Sequence, residues 1–258
     1  MYSSDGDITN NYITNKLTAC GIAEGDTVMI SCRLPFIGKL ATAITFVDLS
    51  KIIIENISTL IGEKGTIVVP SYSYSFCMNN DFDQKNTPST LGDFFETFRQ
   101  QYAVGRTLDP IFSVCAKGKN TDFLINGPND NCFGEKSFFG RFHSLPDAKF
   151  LLIGLNYHNI TNFHFVEQIN KISYRYIKEF PGKIIMPDGS KVARIQKYFV
   201  RNLDLDYEFK NFFKYIEKNE LSRVTKFGNT TIKMIKEKVF FNAVTSLLKK
   251  KENFFLKI

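Results

Sequence analysis

Tryptophan is absent from this chain, and only 3 of its 258 residues are histidine. Any chemistry that needs an imidazole therefore has few places to find one. No run of roughly eighteen apolar residues occurs, which argues against a membrane-spanning helix. Residues 1–11 are polar and acidic rather than basic and then apolar, so a secretory leader is not expected. The five cysteines (Cys20, Cys32, Cys77, Cys115, Cys132) are irregularly spaced, with no C-x-x-C among them. They make neither a disulfide framework nor a zinc pattern. An odd count suits a reducing compartment, so a cytoplasmic protein with core cysteines and no metal is expected. The glycine patterns that cradle phosphates are missing too: there is no G-x-G-x-x-G and no P-loop. No RNP-type aromatic motif, helix-turn-helix signature or zinc finger is present, so nucleic acid is not an expected partner.

What is present is a large apolar supply, 43% hydrophobic and 14% aromatic with 26 phenylalanines, enough for a sizeable core. The formal charge is +7. Lysines crowd the last third, at Lys233, Lys236, Lys238 and Lys249-Lys250-Lys251. Most of this reads as a solvated helix face. A basic surface also attracts anionic small molecules, among them coenzyme A and nucleotide-activated sugars.

The apolar periodicity reads as α/β, with a mixed, largely parallel central sheet flanked by helices and a β-hairpin-rich C-terminal elaboration. Strands are expected at residues 27–32, 66–69, 111–116 and 149–155. Helices are expected at 41–61, stopped by Gly62, and at 89–102, with Phe94, Phe95 and Phe98 on the buried stripe. The first strand-helix-strand unit implies parallel pairing. Beyond residue 172 the pattern changes. Residues 174–178 and 184–186 lead into Pro187-Asp188-Gly189-Ser190, a hairpin turn signal, and a strand over 192–200. Helices near 206–218 and 230–250 finish the chain. No linker or repeat appears, so residues 1–258 read as one domain, with 172–203 an insertion-like β segment and 204–258 C-terminal helices.

The candidate chemistry lies at His164 and Glu167. A strand ending near Leu155 passes through a polar loop into a helix that opens at Thr161 or Asn162, both good capping residues. His164 then falls in the first turn, and Glu167, three residues on, shares its face. The loop after the carboxyl end of a strand is where open α/β sheets bind ligands. The positive end of the helix dipole disfavours imidazolium, which keeps a histidine able to take a proton. The plain alternative is a chance i, i+3 pair.

Other candidates are weaker. His143-Ser144-Leu145-Pro146-Asp147 spells H-x-x-x-D, but Pro146 interrupts it and it reads as a loop. His158 reads as a solvated loop residue. Cys32 and Cys115 sit in strand-like apolar runs, which does not suit a nucleophile. Asp204, Asp206 and Glu208 read as the acidic start of a helix.

Several motifs occur in an order that resembles the aminoglycoside 3-N-acetyltransferase family. Thr161, His164 and Glu167 match its Thr-x-x-His-x-x-Glu pattern after a Gly-ended strand. Gly25-Asp26-Thr27-Val28 leads into the first strand, and Gly65-Thr66-Ile67-Val68-Val69-Pro70-Ser71 is similar to its Gly-Thr-Leu-Val-x-Pro-Thr strand. Arg106, Pro110 and Ser113, followed by Ala116 and Gly118, sit where the family has Arg-Ser-x-His-Pro-x-x-Ser. Phe133-Gly134 and Ser137 resemble its Phe-Gly-x-x-Ser turn. The likeness runs from about residue 21 to 167, and more weakly to 228.

The resemblance implies an acyl-CoA-dependent N-acyltransferase, with acetyl-CoA or another acyl-CoA as co-substrate. His164 would be the general base. The carboxylate that orients it would be Asp206, ahead of Asp204, because the family places an acidic residue downstream of the hairpin. Glu167 is left with either that role or a structural one. Ser31, Ser71 and Ser113 would donate to the coenzyme, and Arg33 would meet its phosphates. Two departures bear on the acceptor: Ile30-Ser31-Cys32 replaces His-Ser-Ser, and Asp109 stands where the family has histidine. A net basic chain suits an anionic acceptor, so a nucleotide-linked amino sugar for surface polysaccharide is expected ahead of a polycationic aminoglycoside. A non-catalytic basic binder of nucleic acid or anionic glycan is the alternative of another class. The oligomer is expected to be a monomer or homodimer.

Overall fold

The computed structural model describes residues 9–38, 45–186 and 188–257. Helix α1 (Asn10–Ala19) is capped by the Thr9 hydroxyl, which accepts from the Tyr12 N–H. Strand β1 (Thr27–Cys32), helix α2 (Phe46–Ile61) and strand β2 (Thr66–Pro70) follow. Thr45 and Asp48 form a reciprocal capping box at the start of α2, and Gly62, at φ 64°, ends it. Of the helix expected over 41–61, residues 41–44 lie outside the described residues. Strands β1 and β2 pair in parallel, Thr27 opposite Thr66.

Strand β3 (Phe82–Asp83), helix α3 (Asp93–Gln101), strand β4 (Gly105–Arg106) and strand β5 (Val114–Gly118) come next. Helix α3 starts at Asp93 rather than 89, because the Ser89 N–H is taken by the Glu96 carboxylate reaching back over the turn. Strand β5 starts at Val114 rather than 111. The N–H groups of Ile111 and Phe112 both donate to Asp109 Oδ1, at 2.8 and 2.9 Å, and this turn precedes the ladder.

Short helices α4 (Thr121–Ile125) and α5 (Phe138–Ser144) lead to strand β6 (Ala148–Ile153), wholly buried and parallel to β1 along its length. Helix α6 (Asn162–Ile169) carries the chain to strands β7 (Arg175–Ile185) and β8 (Lys191–Arg201). These two form a long antiparallel hairpin to which β3 adds a third strand. At the hairpin tip Pro187 lies outside the described residues, Asp188 Oδ1 accepts from the Ser190 N–H, and Gly189 sits at φ 84°.

The chain ends in helix α7 (Lys210–Lys218), strands β9 (Arg223–Phe227) and β10 (Thr230–Lys236), and helix α8 (Glu237–Lys250). This corrects the expectation of helices alone over 204–258. Residues 230–236 lie antiparallel against β6, Ile232 opposite Ile153. Their apolar spacing suits a helix as well as a strand, and the open edge of β6 decides the matter by pairing their backbone. Helix α7 starts at Lys210 rather than 206, because Tyr207 is held extended in a bridge to Leu256.

The main sheet runs β4-β5-β2-β1-β6-β10-β9. The mixed α/β architecture is as expected, but the sheet is not largely parallel: pairing is parallel only across β2-β1-β6 and antiparallel on both flanks. Alternate residues of the central strands feed two cores. Val28, Ile30, Ile67, Val69, Leu151 and Ile153 join the core that α1, α2 and α3 cover. Met29, Val68, Phe150 and Leu152 join the phenylalanine-rich core beneath α5, α6 and α8. No helix among the described residues is long and apolar enough to cross a membrane.

Candidate active site

At the end of β6 the chain must leave the sheet sharply. Gly154 does this at φ 69°, where an added Cβ would lie 3.0 Å from the Arg33 carbonyl oxygen. A 3-10 turn (Tyr157–Asn159) follows, closed by reciprocal capping between Asn156 and Asn159. Thr161 takes the N-cap position of α6, but its side chain makes no capping bond. The Asn162 amide instead donates to Glu237 Oε1 at 2.8 Å.

His164 and Glu167 meet one turn apart, with Nδ1 2.9 Å from Oε2. The Glu167 side chain is fully buried, while 23% of the His164 side chain is exposed. Three further donors reach the same carboxylate. Arg175 Nε lies 2.8 Å from Oε2, and the hydroxyls of Tyr174 and Tyr207 donate to Oε1 at 2.9 and 2.7 Å. Arg175 comes from the first residue of β7, and Tyr207 from the extended segment between β8 and α7. The base of the hairpin thus closes onto α6.

The imidazole has two neighbours at one nitrogen, since Arg175 Nη2 lies 2.8 Å from Nδ1. Either Nδ1 carries a proton and gives it to Glu167, or it accepts one from Arg175. The first arrangement supplies the carboxylate with four donors, and Arg175 Nη2 keeps Tyr207 Oη as its acceptor at 2.6 Å. The second would set an imidazole lone pair against a carboxylate oxygen. The first is therefore assigned, and it leaves the proton-accepting lone pair on Nε2, to which no described residue hydrogen-bonds. Burial lowers the His164 pKa, and the Arg175 charge lowers it further against the opposing pull of Glu167. The ring stands edge-on to Phe133 and Phe163, with centroids 5.4 and 5.9 Å away. The arrangement is an oriented neutral imidazole with one open nitrogen, suited to taking a proton.

The expected orienting carboxylates are not here. The Asp206 side chain is 81% exposed and lies 3.9 Å from Arg201, and Asp204 is exposed as well. Tyr207 turns inward from that segment in their place. Ser71 and Ser113 are fully buried. Their hydroxyls take the Arg106 Nε at 3.1 and 3.0 Å, so they hold a buried guanidinium rather than facing a coenzyme. Ser31 is half-buried near the end of β1, and Arg33 is exposed over the Phe36 ring at 4.7 Å. His143 belongs to the last turn of α5 and pairs with Glu237, Nδ1 to Oε2 2.7 Å. His158 is exposed and packs beside the stacked rings of Phe209 and Phe213. The five cysteines are free. Burial pushes the Cys20 and Cys77 thiols up to about 11, and Cys32 higher still, the reverse of an activated nucleophile. Sequence reasoning missed Tyr174, Arg175 and Tyr207; nothing in their local pattern sets them apart from ordinary strand and loop residues. Among the described residues no group of three or more His, Cys, Asp or Glu could hold a metal ion.

Comparison with known proteins bears on the family and the fold. A family model described as aminoglycoside 3-N-acetyltransferase matches residues 41–249. The SPbeta prophage-derived aminoglycoside N(3')-acetyltransferase-like protein YokD of Bacillus subtilis (strain 168) is 27% identical over 212 residues, 73% of this chain and 74% of the relative. The aminoglycoside N(3)-acetyltransferase VII of Streptomyces paromomycinus is 24% identical over 211 residues, 74% of this chain and 70% of the relative. Among solved structures, that of AAC-IIIb in a binary complex with CoASH has a TM-score of 0.82 at 18% identity, covering 95% of this chain and 98% of that one. The fold is therefore that of these acetyltransferases, and the chain is an acyl-CoA-dependent N-acyltransferase. It belongs to the aminoglycoside 3-N-acetyltransferase family.

Proposed function

We propose that this enzyme moves the acetyl group of acetyl-coenzyme A to an amino group of an aminoglycoside-type acceptor, with His164 as general base and Glu167 as the carboxylate that orients it. The observation that carries the reading is the bond from His164 Nδ1 to buried Glu167, which leaves Nε2 open. Nε2 takes a proton from the acceptor amine as its nitrogen attacks the thioester carbonyl. A C–N bond forms, the tetrahedral intermediate collapses with cleavage of the C–S bond, and the imidazolium proton passes to the departing thiolate. Glu167 holds the tautomer and offsets the charge the imidazole gains. Arg33, exposed beyond the end of β1, is the candidate contact for the coenzyme phosphates, with Ser31 beside it. A cytoplasmic location goes with this reading, since five free cysteines suit a reducing compartment.

Net charge favours a nucleotide-linked amino sugar as acceptor, but the relatives do not support that choice. The family and the named relatives favour the aminoglycoside class. Net charge sums the whole surface, whereas an acceptor meets only the site. Of the four acidic residues between 81 and 96, three are engaged: Asp81 pairs with Lys191, Asp83 closes its own turn and Glu96 is tied to Arg99, while Asp93 is exposed at the start of α3.

Free-thiol release from acetyl-coenzyme A, measured at one salt concentration against aminoglycosides and nucleotide-linked amino sugars, tests the reading. Release with aminoglycosides that is lost in His164→Ala is the expected result. Release with nucleotide sugars alone would overturn the acceptor class. Salt-sensitive polyanion binding with no affinity for the coenzyme would point instead to a non-catalytic binder.

A further inference from the structure

The proposed base is held by more than its carboxylate. A carboxylate offers about four lone-pair sites, and those of Glu167 are taken by His164, Arg175, Tyr174 and Tyr207. Arg175 is the member fixed most firmly. Its side chain is 2% exposed, and its planar fork is tied at three corners: Nε to Glu167, Nη1 to the Phe199 carbonyl, and Nη2 to Tyr207 Oη. Pinned in this way, Nη2 stands 2.8 Å from His164 Nδ1.

We infer that Arg175 is a positioning residue of this site: acting through Glu167, it fixes the Nδ1-protonated tautomer of His164 and holds the imidazole in its neutral, proton-accepting form. The inference rests on the reading of His164 as the base. Two physical consequences of the geometry lead to it. Because Nδ1 already gives its hydrogen to Glu167, a proton gained from an acceptor can add only at Nε2. The resulting imidazolium would then lie against a guanidinium, while the pull of Glu167 is shared with that same guanidinium. The charged and titratable groups around the ring are Glu167 from α6, Arg175 from β7, Arg201 from β8 and Tyr207 from the segment after β8. Tyr174 donates to Glu167 from the residue before β7. Two cations thus oppose one carboxylate, and the base is kept free of protons between turnovers.

The chain has only 3 histidines, so their ring C2–H resonances can be assigned with His143→Gln and His158→Gln. In wild type the His164 titration midpoint is expected below that of free histidine. Arg175→Met is expected to raise that midpoint and move the acid limb of kcat/KM to higher pH. The ratio of kcat/KM at pH 6 to that at pH 8 should fall, by at most about tenfold for each unit the midpoint rises. Arg175→Lys keeps a charge there and is expected to stay nearer wild type. Arg175→Gln, which keeps a donor toward Glu167 without the charge, replaces the Met variant if that fails to fold. A midpoint that does not move when the charge is removed overturns the inference, as does a wild-type midpoint at or above that of free histidine. Full activity in His164→Ala would instead sink the general-base reading and leave the titration result standing.

Discussion

Two histidine–glutamate pairs stand in this molecule, and they are nearly alike by simple measures. His164–Glu167 and His143–Glu237 span 2.9 and 2.7 Å, expose 23% and 24% of the imidazole, and bury the carboxylate completely. The differences lie in what surrounds them. Glu237 has Asn162 as a further donor, and His143 Nε2 lies 3.3 Å from the Lys238 ammonium, which occupies its lone pair. The His143 ring also packs on Phe241, with centroids 4.1 Å apart. That pair ties the start of α8 to α5 and α6. Glu167 instead collects a guanidinium and two phenols, and His164 Nε2 is left open beyond the carboxyl end of β6. A buried carboxylate on Nδ1 is thus common to both pairs; the state of the other nitrogen is what distinguishes the proposed base.

Substitution of the two histidines should give the largest contrast. His164→Ala is expected to lower kcat by roughly 10²- to 10⁴-fold with fold and coenzyme binding retained. His143→Ala should leave kcat near wild type and lower stability by about 1–3 kcal/mol, because it removes a partner of a buried carboxylate. Matching activity losses in steady-state assays would break the comparison. The carboxylates come next. Glu167→Gln leaves buried Arg175 without its counter-charge, so a stability loss of roughly 3–5 kcal/mol in denaturant melts is expected together with impaired turnover. Glu237→Gln should affect stability alone.

The pH dependence separates the pairs more finely. The pKa of His164 is lowered in the fold, so the unfolded chain binds its proton more readily, and stability falls with pH from the ordinary histidine range downward. Activity should fall in the same direction as Nε2 protonates, and the acid limb of kcat/KM in His143→Ala should overlay that of wild type. The smallest effect is expected at the two carboxylates of the segment before α7. Asp204→Asn and Asp206→Asn should each leave kcat and its pH profile unchanged. An activity loss in either would return the orienting role to that segment.

The legible parts of this protein are those whose signal is local. Strand β1 lies at Thr27–Cys32 as its apolar run indicates, and Gly62 and Gly154 stop their elements at positive φ. The spacing of His164 and Glu167 places both on one face of α6, whatever lies around them. The illegible parts depend on partners distant in sequence. Residues 230–236 become a strand because β6 offers an open edge, although Gly228-Asn229 between two alternating runs was a hairpin signal that could have been read. Asp206 and Tyr207 are neighbours in the chain, yet only the tyrosine reaches Glu167. That outcome follows from the bridge between Tyr207 and Leu256 rather than from any feature of the pair.

Sequence alone therefore determined the α/β class, the family, and the imidazole and carboxylate that face each other across one helical turn. Tertiary structure decided which carboxylate the imidazole meets, that Arg175, Tyr174 and Tyr207 complete its surroundings, and that Ser71 and Ser113 serve a buried arginine. The physical reason is range. Helical periodicity and turn chemistry act over a few residues, whereas the field and hydrogen bonds at a buried ion pair are set by whichever strands the fold packs against it.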